Sequence, residues 1–127
     1  MSTADSEALL HAAAFSLAEA PLEGGGTVLT VSGELDVATA PALRERLHVL
    51  TETQPCRLVL DLQAVSFMDS TALAVFIGAK TRIGDEGRMA LVIARDSYAR
   101  LIVDVVGLTE VLDVVETLAD GARRVAA

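Results

Sequence analysis

Two short, nearly unbroken apolar runs constrain this chain more than any other feature: Leu58-Val59-Leu60-Asp61-Leu62 and Met89-Ala90-Leu91-Val92-Ile93-Ala94. A strand with one wet face alternates apolar and polar residues, whereas runs without that alternation belong to central strands. Between the two runs lie a second apolar cluster, Val65-Ser66-Phe67-Met68, and a segment predicted to be helical from about Ser70 to Ile83. Gly84 and Gly87 close that helix and allow a turn.

The flanking segments complete an α/β order. Ala14 to Ala20 carries a weak strand pattern, Pro21 and Gly24-Gly25-Gly26 mark a turn, and Thr27 to Ser32 is β-rich, so these two strands are expected to form a hairpin. Gly33-Glu34-Leu35-Asp36 closes the second strand. Asp36 or Thr39 can cap the next helix, Ala40 to Thr51, with Pro41 in its first turn and Leu43, Leu47 and Leu50 as its buried stripe. Ser97 caps a helix reaching Val106, with Leu101, Ile102 and Val105 expected inward and Gly107 at its end. Val111 to Val114 reads as a short strand or extended link, and Glu116 to Val125 as a last helix. The expectation is one α/β domain over residues 13–127, with a mixed four- to five-stranded sheet and about four helices packed mainly on one face. Residues 1–12 read as a flexible or weakly helical leader.

Composition narrows the function classes. The 127 residues suit one core, and a hydrophobic fraction of 52% can fill it. Aromatic residues make up 3% and Trp is absent, which disfavours binding single-stranded nucleic acid by base stacking. A net charge of -8 repels phosphate backbones and anionic membranes, so neither nucleic acid nor membrane is an expected partner; a protein with a basic docking surface is. Cys56 is the sole cysteine, so no disulfide forms within the chain. No basic residues precede an apolar stretch at the N-terminus, and no apolar run approaches the roughly 20 residues of a membrane span. The expected location is the cytoplasm.

The chemistry concentrates at Asp69-Ser70-Thr71, where a strand hands over to an apolar helix. Asp69 can act as N-cap, which leaves the Ser70 hydroxyl at the exposed, positive end of the helix. Thr71, about 100° further round, points elsewhere. On these residues alone two readings stand: ordinary capping, or a hydroxyl open to a kinase. The run Leu73-Ala74-Val75-Phe76-Ile77 likewise allows two readings, burial on two sides or partial exposure to a partner.

Gly33-Glu34-Leu35-Asp36, Thr39-Ala40-Pro41, Val65 through Leu73 and Val103-Asp104-Val105-Val106-Gly107-Leu108 occur in this order. Together they resemble the STAS domain family, in particular its bacterial anti-sigma factor antagonists, over about residues 13 to 120. Phe67 to Leu73 is the most specific part. The resemblance implies a STAS-type domain in which Ser70 is phosphorylated by a cognate anti-sigma factor, itself a serine kinase with a histidine-kinase-like ATPase fold. It implies that the unphosphorylated chain binds this factor and frees a sigma factor, that phosphorylation releases it, and that a PP2C-type phosphatase restores it. It further implies that Asp36 lies close to the serine, and that Asp69, Thr71, Ala72 and Leu73 belong to the switch and partner-binding surface. Family members most often carry Gly where this chain has Ala72, which is expected to add a Cβ near the kinase-facing surface. The alternative within the family is a subunit that binds an ABC-type lipid transporter ATPase without phosphorylation; the full Asp-Ser-Thr match favours the antagonist.

Other candidates are weak. His11 and His48 lack neighbours at metal-ligand spacing, Cys56 reads as a structural thiol, and Gly24-Gly25-Gly26 lacks the Lys-Ser or Lys-Thr of a phosphate loop. Asp104, Asp113 and Asp120 read as a solvated face. No acid, base and nucleophile converge, so no enzymatic activity, metal or cofactor is expected.

Overall fold

The computed structural model of the protein describes residues 15–126, so the leader at 1–12, His11 within it, and residues 13, 14 and 127 fall outside the description. The elements run β1 (Ser16–Pro21), β2 (Thr27–Leu35), α1 (Ala40–Leu50), β3 (Arg57–Met68), α2 (Ser70–Ile83), β4 (Arg88–Val92), α3 (Tyr98–Val105), β5 (Val114–Val115) and α4 (Leu118–Val125). They form a five-stranded sheet in the order β1-β2-β3-β4-β5. The β1–β2 hairpin is antiparallel and every other pairing is parallel. The expected class, mixed sheet and helix number are all present.

Strand order decides where the helices go. Crossovers between parallel strands are right-handed, so strands laid down side by side in chain order send every connecting helix to the same face. α1, α2 and α3 accordingly share one core, in which Leu43, Phe76 and Val103 meet Leu29, Leu60 and Leu91 of the sheet. That leaves the opposite face of the sheet uncovered until α4 folds back over it, with Val125 against Val28, Val59 and Val92. Gly121 permits the close approach: a Cβ there would stand 3.1 Å from methyl groups of both Val59 and Val92. The unbroken apolar runs now have a cause, because Leu58 and Leu60 face one helical layer and Val59 the other.

β3 is longer than the sequence suggests. Arg57–Leu62 and Val65–Met68 are one continuous strand. Its register against β2 slips between Thr30 and Ser32 and again between Gly33 and Glu34, each time with an additional β3 residue opposite β2. Gly33, at the second slip, has φ of 94°, a region that favours glycine. The slips make Leu62, Val65 and Met68 the buried residues, three apart instead of two, and leave Ser66 and Phe67 outside. They also set the direction in which β3 delivers Asp69.

α3 faces the core differently from the expectation. Leu101 and Val105 are 56% and 73% exposed, and Ile102 is half-buried; the residues against the sheet are Ala99 and Val103. Leu101-Ile102-Val103 and Val105-Val106 cover so much of the helix circumference that the apolar pattern does not choose a face. Ser97 caps α3 as expected, accepting the Arg100 N–H at 3.1 Å. The segment expected to be extended at Val111 stays in turns through Asp113, and β5 is only Val114–Val115.

Candidate functional site

The parallel register pairs Leu35 of β2 with Met68 of β3, so the next residues, Asp36 and Asp69, open neighbouring loops at the carboxyl edge of the sheet. The Asp69 N–H donates to the Leu35 carbonyl at 3.2 Å and ties the two loops together. In open α/β sheets this edge, outside the carboxyl ends of the strands, is where ligands bind.

Asp69 is extended, with φ -119° and ψ -175°, and its Oδ1 accepts the Thr71 N–H at 2.9 Å. It therefore caps α2. Ser70, the first residue of the helix, is exposed, Thr71 is half-buried, and Ala72 and Leu73 are buried. No acidic residue occupies the first turn itself, so the capping carboxylate of Asp69 is what offsets the positive end of the helix dipole beside Ser70. Asp69→Ala removes the cap and is expected to lower stability by about 0.5–2 kcal/mol, read as a reduced denaturation midpoint; an unchanged midpoint would remove this role.

Asp36 organises the adjacent loop. Its Oδ1 accepts the N–H groups of Ala38 at 2.9 Å and Thr39 at 3.1 Å. The Asp36 N–H donates to the Thr39 hydroxyl, which donates in turn to the Glu34 carbonyl at 2.8 Å. Thr39 holds the N-cap position of α1 without a side-chain cap bond, so the carboxylate of Asp36 supplies the loop's acceptor. Val37, next to it, is 73% exposed. On the other side, the Phe67 ring stacks on Tyr98 with centroids 5.6 Å apart.

The place expected for Ala72 and Leu73 is corrected by their burial. Ala72 is fully enclosed and Leu73 is 5% exposed, because positions two and three residues after Ser70 turn toward the layer shared with α1. The Ala72 methyl thus packs in the core and presents nothing to a partner. Ala72→Gly is expected to cost about 1 kcal/mol through backbone entropy and about 0.8 kcal/mol more for the lost buried methyl, with partner affinity unchanged; a change in affinity without loss of stability would return Ala72 to the surface role.

The family model for the STAS domain matches residues 18–121. The chain belongs to the STAS domain family. This STAS domain is 34% identical over 96 residues to an anti-sigma-F factor antagonist of Mycobacterium tuberculosis, covering 76% of the chain and 78% of the relative. It is 38% identical over 87 residues to the anti-sigma-B factor antagonist of Bacillus subtilis, covering 68% and 78%. Its fold matches the crystal structure of an anti-sigma factor antagonist from Mycobacterium paratuberculosis with a TM-score of 0.77 and 29% identity, over 87% of this chain and 93% of that one.

A cleft of about 420 Å³ at the opposite, amino edge is lined by Thr53, Gln54, Pro55 and Cys56 among others, with no carboxylate or imidazole. Burial pushes the Cys56 thiol up, away from the reactive thiolate. Among the described residues no three His, Cys, Asp or Glu side chains gather as metal ligands, and no helix is long and apolar enough to cross a membrane. His48 is exposed. The scattered acids prove to be paired: Asp104 with Thr109 and Arg100, Asp113 with Arg124, and Asp120 with Arg123. The Thr109 hydroxyl and the Arg100 guanidinium hold the Asp104 carboxyl below its usual range. Sequence reasoning missed the exposure of Val37, Phe67 and Tyr98 around Ser70. The spacing of Leu62, Val65 and Met68 is the one signal that could have shown Phe67 turning outward.

Proposed function

We propose that this STAS domain is an anti-sigma factor antagonist whose binding is switched by phosphorylation of Ser70. The observation that carries the reading is the exposed Ser70 hydroxyl at the head of α2, beside the capping carboxylate of Asp69 and next to the Asp36 loop. That relatives of this chain are named anti-sigma factor antagonists supports the antagonist part of the reading.

The unphosphorylated domain docks an anti-sigma factor over this edge and so frees a sigma factor. The anti-sigma factor is a serine kinase of histidine-kinase-like ATPase fold. It transfers the terminal phosphoryl of ATP to the Ser70 oxygen, and the base for the hydroxyl proton belongs to the kinase. Asp69 is committed to its N–H cap and holds the helix start in place. The phosphate brings about −1.5 to −2 charges next to Asp69 and Asp36. Within a docked interface these charges lose water and meet like charges, and the complex opens. The helix dipole offsets about 0.3–1 kcal/mol of the cost. No refolding is needed, because Ala72, Val75 and Phe76 anchor the helix in the core. A PP2C-type phosphatase resets the switch, and the domain performs no catalysis itself. The cycle runs in the cytoplasm.

The test is incubation with the anti-sigma factor and ATP, followed by mapping of the phosphate by mass spectrometry. Phosphate is expected on Ser70 alone, and Ser70→Ala is expected to bind the factor but take no phosphate. Modification of Thr71 or Ser66 with Ser70 untouched would overturn the assignment.

A further inference from the structure

α3 carries apolar surface that the core does not use. Ala99 and Val103 face the sheet, whereas Tyr98, Leu101 and Val105, three and four residues apart, form one outward stripe. The Phe67 ring, stacked on Tyr98, extends the stripe to the end of β3, a few residues before Ser70. The surface is therefore continuous with the carboxyl edge that holds the switch. Contiguous exposed apolar surface of this kind on a folded domain marks an interaction site.

The surrounding charges indicate what covers it. Asp96 and Glu110 are exposed on the loops flanking α3, Glu34 is exposed near the end of β2, and Asp36 and Asp69 stand just beyond the ends of β2 and β3. The arginines of this region are already tied to carboxylates, Arg95 to Glu116 at 2.7 Å and Arg100 to Asp104 at 3.0 Å. A second copy docked across a two-fold axis would bring the same acids face to face, in a chain of net charge -8. A different protein, with apolar side chains inside a basic border, satisfies both the stripe and the acids.

We propose that the outward stripe of α3, with Phe67, is the second half of the docking surface for the anti-sigma factor. It rests on the antagonist reading above and divides the work of binding. The stripe supplies affinity through buried apolar anchors, which dominate interface energetics when desolvated. The Ser70 edge supplies the part of the affinity that charge can remove.

Calorimetric titration with the purified anti-sigma factor tests the division, using wild type, Tyr98→Ala, the double variant Leu101→Ser with Val105→Ser, and Ser70→Asp. Val49→Ser is the control, since Val49 is exposed on α1, away from the stripe. Both stripe variants are expected to lose at least tenfold in affinity with wild-type melting temperatures, while Val49→Ser stays within twofold. Losses under twofold in both stripe variants, with Ser70→Asp still releasing the factor, overturn the inference and leave the antagonist reading standing. A wild type that does not bind, or Ser70→Asp with unchanged affinity, overturns that reading and the inference with it. A wild type that elutes as a dimer, and a double variant that elutes as a monomer, assigns the stripe to a second copy and overturns the inference.

Discussion

Ser70→Asp is expected to weaken binding of the anti-sigma factor about thirtyfold while leaving the domain as stable as wild type or slightly more so. The two effects have opposite signs for one physical reason. In the free domain the new carboxylate sits at the positive end of α2, where the first turn holds no other acid, and gains about 0.3–1 kcal/mol. In the complex it is enclosed beside Asp69 and the Asp36 loop, where an uncompensated charge costs several kcal/mol. A net loss of about 2 kcal/mol corresponds to the stated factor, since each 1.4 kcal/mol is tenfold. Local damage to the helix start would lower both quantities together. Thermal denaturation beside titration separates the outcomes: a fall in melting temperature that accompanies the lost affinity would replace the charge mechanism with simple misfolding.

Phe76→Ala is expected to have the largest effect on stability. Phe76 is fully enclosed in the middle of α2 and is among the largest buried side chains of the domain. It packs in the layer between the sheet and helices α1 and α3, and it holds the helix that presents Ser70. Truncation removes the ring and leaves a cavity that the flanking Leu and Val side chains fill only in part. The expected cost is about 3–5 kcal/mol, a large share of the 5–15 kcal/mol typical of a domain. The melting temperature should fall by about 10–20 °C, with the denaturant slope unchanged. A fall of only a few degrees would show that α2 is held by other contacts, and that its position is less tightly fixed than the packing implies.

Much of the architecture was legible in local patterns. The apolar runs at Leu58 and Met89 marked the central strands because both faces of the sheet are covered there. Asp69 and Ser97 marked helix starts because each side chain has a backbone N–H within reach. What the patterns hid depends on tertiary packing. The register slips opposite β2 gave β3 a buried period of three, which belongs to neither helix nor strand, so Val65–Met68 looked like a separate cluster. α3 is apolar on too many sides for its sequence to select the inward face, and the sheet took the small Ala99 in preference to Leu101. Ala72 was placed on the surface by proximity to Ser70, yet a two-residue step along a helix turns the side chain by about 200°, to the opposite side and into the core. At the proposed switch, the exposed position of Ser70 followed from its capping neighbour, whereas the apolar groups of this edge, Val37 in the loop after β2, Phe67 in β3 and Tyr98 at the start of α3, come from three separate elements that only the fold brings together.

The central claim is that a dianion on one exposed hydroxyl opens a docked complex. Its most direct test is the dissociation constant of the anti-sigma factor for the domain phosphorylated at Ser70, measured against the same preparation after the phosphate has been removed. The account predicts a loss of at least a hundredfold on phosphorylation, larger than that of Ser70→Asp because the phosphate carries more charge, and full recovery on dephosphorylation. Equal affinity of the two forms, within threefold, would contradict it.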